Sequence, residues 1–323
     1  MEEHDMMDYT LQKFSVTSDY DGTVLSCLVT VPETDIRGIV QFSHGMAENK
    51  ERYQPLMEYL AFHGYLCLIH DHRGHGASAP AEDDLGYFGK NGSTAVVKDL
   101  HQLTEYAKKT WPGHPVYLFG HSMGSLAARC YLSHYSADID ALILSGAPSK
   151  NPAAGFALFL ADISTALLGG RHRNRLITAL AFGPYQARFT GEPMNSWICS
   201  DPHVVSAYNE SPLCGFSFTN NGYQALFHLM LNTYDARKWQ TFLSKRPANK
   251  QLPILFLAGE NDPCITDEKH FLAEIQFLKD QGFTNISSKL YPAMRHEICN
   301  EVGKEVVWMD VLEFLLVQGK SCN

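Results

Sequence analysis

Residues 115–124 read PVYLFGHSMG, a short apolar run that ends in Gly-His-Ser-Met-Gly, and a helical pattern begins at Met123. A glycine on each side of the serine fits a chain that turns sharply from a strand into a helix, because larger side chains would collide there. Such a turn exposes the Ser122 hydroxyl at the carboxyl end of the strand. This interpretation of Ser122 as a nucleophile competes with a plainer one, in which the serine only caps the helix.

Apolar runs of the same kind lie on both sides of this stretch, at 38–45, 65–74, 141–148 and 253–262, with a weaker one at 287–294. Runs that are apolar on both faces are typical of buried strands in a parallel sheet, and the helical patterns between them fit right-handed crossovers. Residues 13–32 instead predict two alternating strands joined at an Asp-Gly turn, and therefore an antiparallel edge. The sequence predicts an α/β fold with a mostly parallel sheet of eight strands and helices on both faces.

Helical spacing recurs between these strands, at 52–64, 93–110, 123–135 and 304–318. One interval is too long for a single crossover: after 141–148 the next strand pattern begins near residue 252, and the segments between them resemble helices. We therefore expect residues 149–236 to form a helical cap inserted into a core made of 1–148 and 237–323.

Composition narrows the classes of protein to consider. The 323 residues are 45% hydrophobic and 19% charged, which is typical of a globular chain. The net charge of −9 has the wrong sign for binding nucleic acid. The first residues show no secretory signal and no run is long enough to span a membrane, so a cytoplasmic protein is expected. The eight cysteines are scattered without a Cys-x-x-Cys pair and are interpreted as small core residues.

A serine nucleophile requires a histidine base, and the base requires a carboxylate to orient it. In a fold of this type the acid and then the histidine follow the serine, each in the loop after a later strand. Asp262 follows the run at 253–262, and His296 follows the next strand pattern. Glu260 is a competing acid, but Asp262 precedes a proline that holds it in a turn.

Attack on a carbonyl creates an oxyanion, which backbone amides usually stabilise. The amide of Met123 is one expected donor, because it begins the helix after the nucleophile. The second is expected from the loop after the strand at 38–43, where we assign the amide of Met46. The alternative is that His44-Gly45 forms a plain turn without a catalytic role.

A rival cluster of chemistry-bearing residues lies at 70–75, where His70, His72 and His75 crowd into six residues. Histidines at such spacing suggest a metal-dependent hydrolase, but no second set of histidine ligands appears after the later strands. We expect no metal and no cofactor, and interpret 70–75 as a glycine-rich loop in which Asp71 and Arg73 pair.

Five motifs together resemble a known family: HGMAENKERY (44–53), DHRGHGAS (71–78), GHSMGS (120–125), GENDP (259–263) and RHEICNE (295–301). They are similar to α/β-hydrolases of the monoacylglycerol lipase and lysophospholipase group, which carry the serine aminopeptidase S33 domain. The resemblance implies an α/β-hydrolase fold with a helical cap, a triad of Ser122, Asp262 and His296, amide donors at Met46 and Met123, and a bracing role for Glu48 and Arg52. The segment SPLCGFSFT (211–219) is more similar to bacterial members.

These observations predict a serine hydrolase that cleaves small acyl esters, of the monoacylglycerol or lysophospholipid type, through an acyl-enzyme on Ser122. The uncharged stretch from Phe156 to Leu168 suits either an acyl-chain site or simple helix packing, and an exposed helix there predicts transient contact with a lipid interface. Two alternatives remain: a peptidase, which needs a carboxylate pair in the cap, and a non-catalytic binding member of the fold. Which cap residues within 149–236 bind substrate, and the oligomeric state, are not predicted.

Overall fold

The computed structural model describes residues 9–319, so Cys322 and the leading residues used in the signal-peptide argument lie outside the described residues. One sheet of eight strands runs through the described chain in the order β1-β2-β4-β3-β5-β6-β7-β8. The strands are β1 Tyr9–Thr17, β2 Val24–Pro32, β3 Gly38–Ser43, β4 Tyr65–His70, β5 Val116–His121, β6 Ala141–Ser145, β7 Ile254–Gly259 and β8 Ile286–Tyr291.

Pairing in the sheet follows the pattern of burial. From β4 to β8 every neighbouring pair is parallel, whereas β2 is antiparallel to both β1 and β4. The six residues of each of β3, β4, β5 and β7 are all buried, because helices cover both faces of the sheet. The β1–β2 hairpin turns at Gly22, whose φ of 82° suits glycine. The predicted mostly parallel sheet with an antiparallel edge is confirmed.

Ten α-helices accompany the sheet within residues 9–319: α1 Gln54–Phe62, α2 Gly92–Thr110, α3 Met123–Tyr135, α4 Ala154–Leu168, α5 Arg175–Ala187, α6 Pro202–Glu210, α7 Asn220–Thr233, α8 Ala236–Leu243, α9 Glu268–Asp280 and α10 Lys304–Gly319. The patterns at 52–64, 93–110, 123–135 and 304–318 correspond to α1, α2, α3 and α10. None of the helices in the described part of the chain is long and apolar enough to cross a membrane.

Four helices, α4 to α7, occupy the interval between β6 and α8. The described chain has no strand between β6 and β7, as the sequence pattern suggested. Helix α4 packs against α7, and α7 in turn packs against α2 and α3 of the core. The interval is therefore joined to the rest of the protein through α7.

Parallel strands bring their carboxyl ends to the same edge of a sheet, and ligands bind at this edge in open α/β sheets. The loop 44–49 follows β3, Ser122 follows β5, Asp262 follows β7 and His296 follows β8. Residues separated by more than 200 positions in the chain therefore meet at one end of the sheet.

Candidate active site

The turn at Ser122 has the strained backbone that the glycine spacing predicts. Ser122 has φ 52° and ψ −119°, in a region that L-residues rarely occupy. Gly124 packs under the end of β3, where an added Cβ would lie only 1.9 Å from the carbonyl oxygen of Ser43. An added Cβ on Gly120 would lie 2.7 Å from the carbonyl oxygen of Gly124. The two glycines are therefore required by close backbone packing, and the serine side chain is left pointing into a cavity.

Ser122, His296 and Asp262 lie in hydrogen-bond contact. The Oγ of Ser122 is 2.8 Å from Nε2 of His296, and Nδ1 of the same ring is 2.9 Å from Oδ2 of Asp262. An ionised carboxylate only accepts hydrogen bonds, so Nδ1–H donates to Asp262 and the neutral ring accepts the serine proton at Nε2. This arrangement is able to remove a proton from the serine hydroxyl.

The carboxylate of Asp262 is fixed by its own turn. Its Oδ1 accepts a 2.7 Å hydrogen bond from the amide of Cys264 and thereby caps the short helix Pro263–Ile265. The other oxygen is left for His296. Glu260, the competing acid, is exposed, whereas Asp262 is buried. Of the two candidate acids, Asp262 is the one that the structure brings to the histidine.

The ring of His296 is enclosed by aromatic neighbours and by a glycine. Its centroid lies 4.7 Å from that of His121 and 5.2 Å from that of Trp197. An added Cβ on Gly146 would lie 3.0 Å from Nδ1, so this glycine makes room for the ring. Burial opposes the charged form, but the neighbouring carboxylate of Asp262 outweighs it and raises the pKa of His296 above its ordinary value. The site therefore stabilises the imidazolium that forms when the ring accepts a proton.

Met46 and Met123, whose amides are the two expected oxyanion donors, line the same cavity as Ser122. Met123 is the first residue of α3, so its N–H precedes the first hydrogen bond of the helix. The next amide in the other loop, that of Ala47, is already bonded to Nε2 of His75 at 3.2 Å. Of the neighbouring amides at 46 and 47, that of Ala47 is therefore already engaged within the protein.

The loop that carries Met46 is held by a network of buried ion pairs around Arg52. The carboxylate of Glu48 accepts a hydrogen bond from the amide of Gly45 and a 2.8 Å ion pair from Arg52. The other side of the Arg52 guanidinium binds Glu297 through contacts of 2.6 and 2.5 Å. Burial raises the pKa of Glu48, while Arg52 outweighs burial and lowers that of Glu297. One arginine thus neutralises part of a buried carboxylate pair beside the nucleophile.

A cavity of about 280 Å³ lies above these residues, and most of its surface is apolar. Its walls include side chains from α5 (Thr178, Ala181, Tyr185), from the loop before α6 (Met194, Asn195, Trp197, Ile198), from α7 (Leu226, Phe227, Met230), and Phe216 and Cys264. The sequence did not identify these residues, because they are scattered between positions 178 and 264 without a shared motif.

The uncharged stretch Phe156–Leu168 contributes no residue to the cavity. Helix α4 buries only Ala154, Ala161 and Ser164, while Phe156 and Leu167 are 64% and 77% exposed. Of the two alternatives drawn from the sequence, an acyl-chain site or simple helix packing, the lining of the cavity therefore does not support the first. The helix is apolar around most of its circumference, so the pattern did not show which side faces inward.

The expected pairing of Asp71 with Arg73 is also wrong. Asp71 binds Nζ of Lys50 at 2.6 Å, and Arg73 binds Asp99 at 2.8 Å and Asp21 at 2.7 Å. Gly76 leaves room for the Asp71 carboxylate, since an added Cβ would lie 2.3 Å from its Oδ2. Arg73 thereby holds the loop after β4 against the hairpin and α2, whereas Asp71 holds it against Lys50, just before α1.

Histidines 44, 70, 72 and 75 form a buried cluster behind this loop, with ring centroids of neighbours 4.3–5.1 Å apart. None of them belongs to a group of described residues with metal-ligand spacing. Burial lowers the pKa of His70 to about 3 and that of His75 to about 4, and it lowers those of His44 and His72 well below the ordinary value. The cluster is therefore neutral at physiological pH.

Curated relatives and a solved structure place this chain near monoacylglycerol lipases and esterases, and a family model matches most of its length. The family model described as serine aminopeptidase, S33, matches residues 34–303. A monoacylglycerol lipase of Mycolicibacterium smegmatis is 27% identical over 290 residues, covering 89% of this chain and 91% of that protein. The human monoglyceride lipase is 25% identical, over 87% of this chain and 86% of its own. A crystal structure of a thermostable carboxyl esterase from Bacillus coagulans in complex with glycerol superposes with a TM-score of 0.87 at 25% identity, covering 96% and 99% of the two chains.

Proposed function

Because the chain belongs to the serine aminopeptidase S33 family, and is a carboxylic ester hydrolase of the monoacylglycerol lipase and lysophospholipase group, we propose that it cleaves monoacylglycerols through an acyl-enzyme on Ser122. The observation that carries the proposal is the contact of Ser122 Oγ with His296 Nε2 at 2.8 Å, on the wall of a largely apolar cavity. The family resemblance drawn from the sequence motifs is confirmed, whereas the individual residue roles remain our proposal.

In this mechanism Ser122 attacks the ester carbonyl while His296 takes the hydroxyl proton and Asp262 holds the ring. The amides of Met46 and Met123 stabilise the oxyanion, each by about 3 kcal/mol in comparable sites. His296 then protonates the departing glycerol oxygen, which leaves the acyl group on Ser122. Water deprotonated by the same ring hydrolyses this acyl-enzyme and restores the serine.

The walls of the cavity favour an uncharged head group. No lysine or arginine is among the described residues that line it, so the phosphate of a lysophospholipid would find no cation there. Its apolar part, formed by Leu126, Leu226 and Met230 among others, suits an acyl chain. Each methylene removed from water there contributes about 0.8 kcal/mol. We therefore favour monoacylglycerols over lysophospholipids.

A peptidase is the second enzymatic possibility, since the family model carries that description. Binding a free amino terminus requires an available carboxylate facing the nucleophile. Glu48 and Glu297 both line the cavity, but Arg52 binds each of them. These contacts favour ester over aminopeptidase substrates.

We propose that residues 149–236 act as a cap whose exposed apolar residues meet a lipid surface. On α4, Phe156, Phe159, Ile163 and Leu167 are exposed at helical spacing, and on α5 Leu176 and Leu180 are exposed likewise. Helices that present an apolar face in this way lie in the interface between lipid and water. Met194, which is exposed and also lines the cavity, links this surface to the site. Binding to vesicles that weakens in Leu167→Glu, with hydrolysis of a water-soluble ester unchanged, would support this role.

We also propose that the enzyme works in the cytoplasm. The cysteines among residues 9–319 are free, and six of these seven thiols are buried, as in proteins of reducing compartments.

The decisive experiment compares wild type with Ser122→Ala in two assays. A fluorophosphonate probe should label wild type and leave the variant unlabelled. A series of monoacylglycerols, lysophosphatidylcholines and amino-acid arylamides should give the highest kcat/KM for the monoacylglycerols. Preference for the arylamides would favour the peptidase, and labelling without turnover of any ester would reject the substrate class proposed.

A further inference from the structure

Cys264 lies beside the base of the proposed triad. Its Sγ is 3.9 Å from Nε2 of His296. Both side chains are buried, with exposures of 6% and 2%, and both line the cavity that leads to Ser122. Together with Asp262 they form a group whose possible ligand atoms all lie within 4.8 Å of one another.

The separation of the sulfur and the nitrogen matches a bridging metal ion. Zinc binds thiolate at about 2.3 Å and imidazole at about 2.0 Å, so ligands 3.9 Å apart subtend roughly 130° at the ion, about 20° wider than the angle of a regular tetrahedron. The ion fits between Cys264 and His296 with shifts of a few tenths of an ångström.

The surroundings of His296 also suit a metal ligand. Nδ1 donates to the carboxylate of Asp262 at 2.9 Å, which leaves Nε2 as the coordinating atom. A carboxylate behind the ring is the usual partner of a zinc-bound histidine, because it fixes the ring and increases its basicity. The open side of the site faces the cavity, where water would complete the coordination.

We propose that Cys264 and His296 form an inhibitory site for a thiophilic divalent cation such as Zn²⁺. The ion displaces the thiol proton, which is released to water in the cavity, and occupies the lone pair of Nε2 that would otherwise accept the proton of Ser122. Hydrolysis therefore stops while the ion is bound. The consequence for catalysis rests on the proposed function, whereas ion binding itself does not.

The chemistry of the ligands sets the selectivity. Thiolate and imidazole favour Zn²⁺ and Cd²⁺, whereas Mg²⁺ and Ca²⁺ favour oxygen ligands. A second group of described residues with metal-ligand spacing, His101, Glu105 and Asp138, lacks sulfur and is partly exposed. This second group therefore serves as a control for metal binding away from Cys264 and His296.

The test measures ester hydrolysis against Zn²⁺, Cd²⁺ and Mg²⁺ in wild type, Cys264→Ser, Cys264→Ala and His101→Gln, each relative to its own rate without metal. Zn²⁺ and Cd²⁺ should inhibit wild type and His101→Gln equally, a chelator should reverse the inhibition, and Mg²⁺ should have no effect. Removing the thiolate ligand should raise the inhibitory concentration by about tenfold or more, since even the outer partners of a metal ligand contribute that much to affinity.

A second readout does not depend on activity. Cd²⁺ titrated into Ser122→Ala should produce the ultraviolet charge-transfer band of a cadmium thiolate, and the band should be absent in Ser122→Ala/Cys264→Ser. Equal inhibition of wild type and both Cys264 variants would overturn the proposal, as would a band that persists without Cys264. If the cadmium thiolate band appears in Ser122→Ala but wild type hydrolyses no ester, the metal site is supported and the proposed function is rejected.

Discussion

The amide of Glu297 donates a 2.7 Å hydrogen bond to the carbonyl of Ile198, which joins the loop of His296 to the loop before α6. Arg295, on the other side of the histidine, strengthens this connection. Its guanidinium binds Glu192 at 2.7 Å and the carbonyl of Ser196 at 2.5 Å. The position of the proposed base therefore depends on residues within 149–236, the proposed cap.

We expect Arg295→Met to lower kcat/KM by about ten- to a hundredfold, because small displacements of a catalytic group have effects of this size. The free energy of unfolding should fall by only about 1–3 kcal/mol, as for lost hydrogen bonds to a charged group. Ester kinetics and urea unfolding measure the two effects. Lys289→Met, which removes a partly exposed ion pair with Asp310, is the control and should change neither quantity appreciably. Wild-type kinetics in Arg295→Met would contradict the coupling.

Asp262→Asn should reduce kcat by about 10³–10⁴, because an amide does not hold the histidine in the tautomer that accepts the serine proton. Glu260→Gln is the matched control, since Glu260 is exposed, and it should retain the wild-type rate. Steady-state hydrolysis of one ester by both variants decides between the two acids. A larger loss of kcat in Glu260→Gln than in Asp262→Asn would show that Glu260, and not Asp262, is the acid.

Gly124→Ala should fail to fold stably or lose activity, because the new methyl would lie 1.9 Å from the carbonyl oxygen of Ser43. Gly155→Ala provides the opposite case. Gly155 lies in α4 with no atom within 4 Å of an added Cβ, and alanine there should stabilise the protein by about 0.5–1 kcal/mol. Thermal unfolding of both variants tests the pair. Equal effects would show that the turn at Ser122 tolerates a side chain.

The buried histidine cluster should make the protein sensitive to mild acid. Between the unfolded pKa of 6.5 and the folded values of about 3 for His70 and about 4 for His75, the unfolded state binds more protons, so stability falls as pH decreases. Each such histidine lowers the free energy of unfolding by about 1.4 kcal/mol per pH unit below 6.5.

Urea unfolding at about pH 7.5 and about pH 5.5 measures this slope. His70→Phe should reduce it, because His70 is buried and neither ring nitrogen has a hydrogen-bond partner among the described residues. An unchanged slope in His70→Phe would show that this ring titrates freely in the folded protein.

Leu226→Trp should shorten the acyl chain that the enzyme accepts, since Leu226 lines the cavity from α7. Excluding two methylenes removes about 1.6 kcal/mol of binding, which corresponds to about a tenfold loss in kcat/KM for long chains. Acetyl esters should be hydrolysed at the wild-type rate. Leu167→Trp on the exposed face of α4 is the control and should leave the chain-length profile unchanged. A uniform loss over all chain lengths would place the acyl chain elsewhere.

The sheet and the turn at Ser122 were predictable because both leave local signals. Strands such as β3 and β5 are buried on both faces, and the glycines at 120 and 124 record a close backbone approach. The order of serine, acid and histidine along the chain then indicated where the remaining site residues lie.

The proposed cap was less predictable from the sequence, because its contacts depend on which side of each helix faces the core. A helix as uniformly apolar as α4 carries no signal for its buried side, so the sequence left an acyl-chain site and simple helix packing as open alternatives. The partners of Asp71 and Arg73 are Lys50, Asp21 and Asp99, which are remote in the chain and are brought to this loop only by the fold. Cys264 was interpreted as a core residue, and only the fold brings its sulfur to His296.

The carbonyl of Ala47 accepts hydrogen bonds from the hydroxyl of Tyr208 at 3.0 Å and from the amide of Gly215 at 2.9 Å. Tyr208 and Gly215, both within residues 149–236, thus hold the peptide that follows Ala47, one residue beyond Met46. Exchanging that segment between relatives would also exchange the clamp on this peptide. Recombinants in which Tyr208 and Gly215 stay with the Ala47 loop of the same parent should therefore acquire new specificity and keep turnover. Recombinants that combine these residues with the loop of another parent should lose turnover and gain no new specificity.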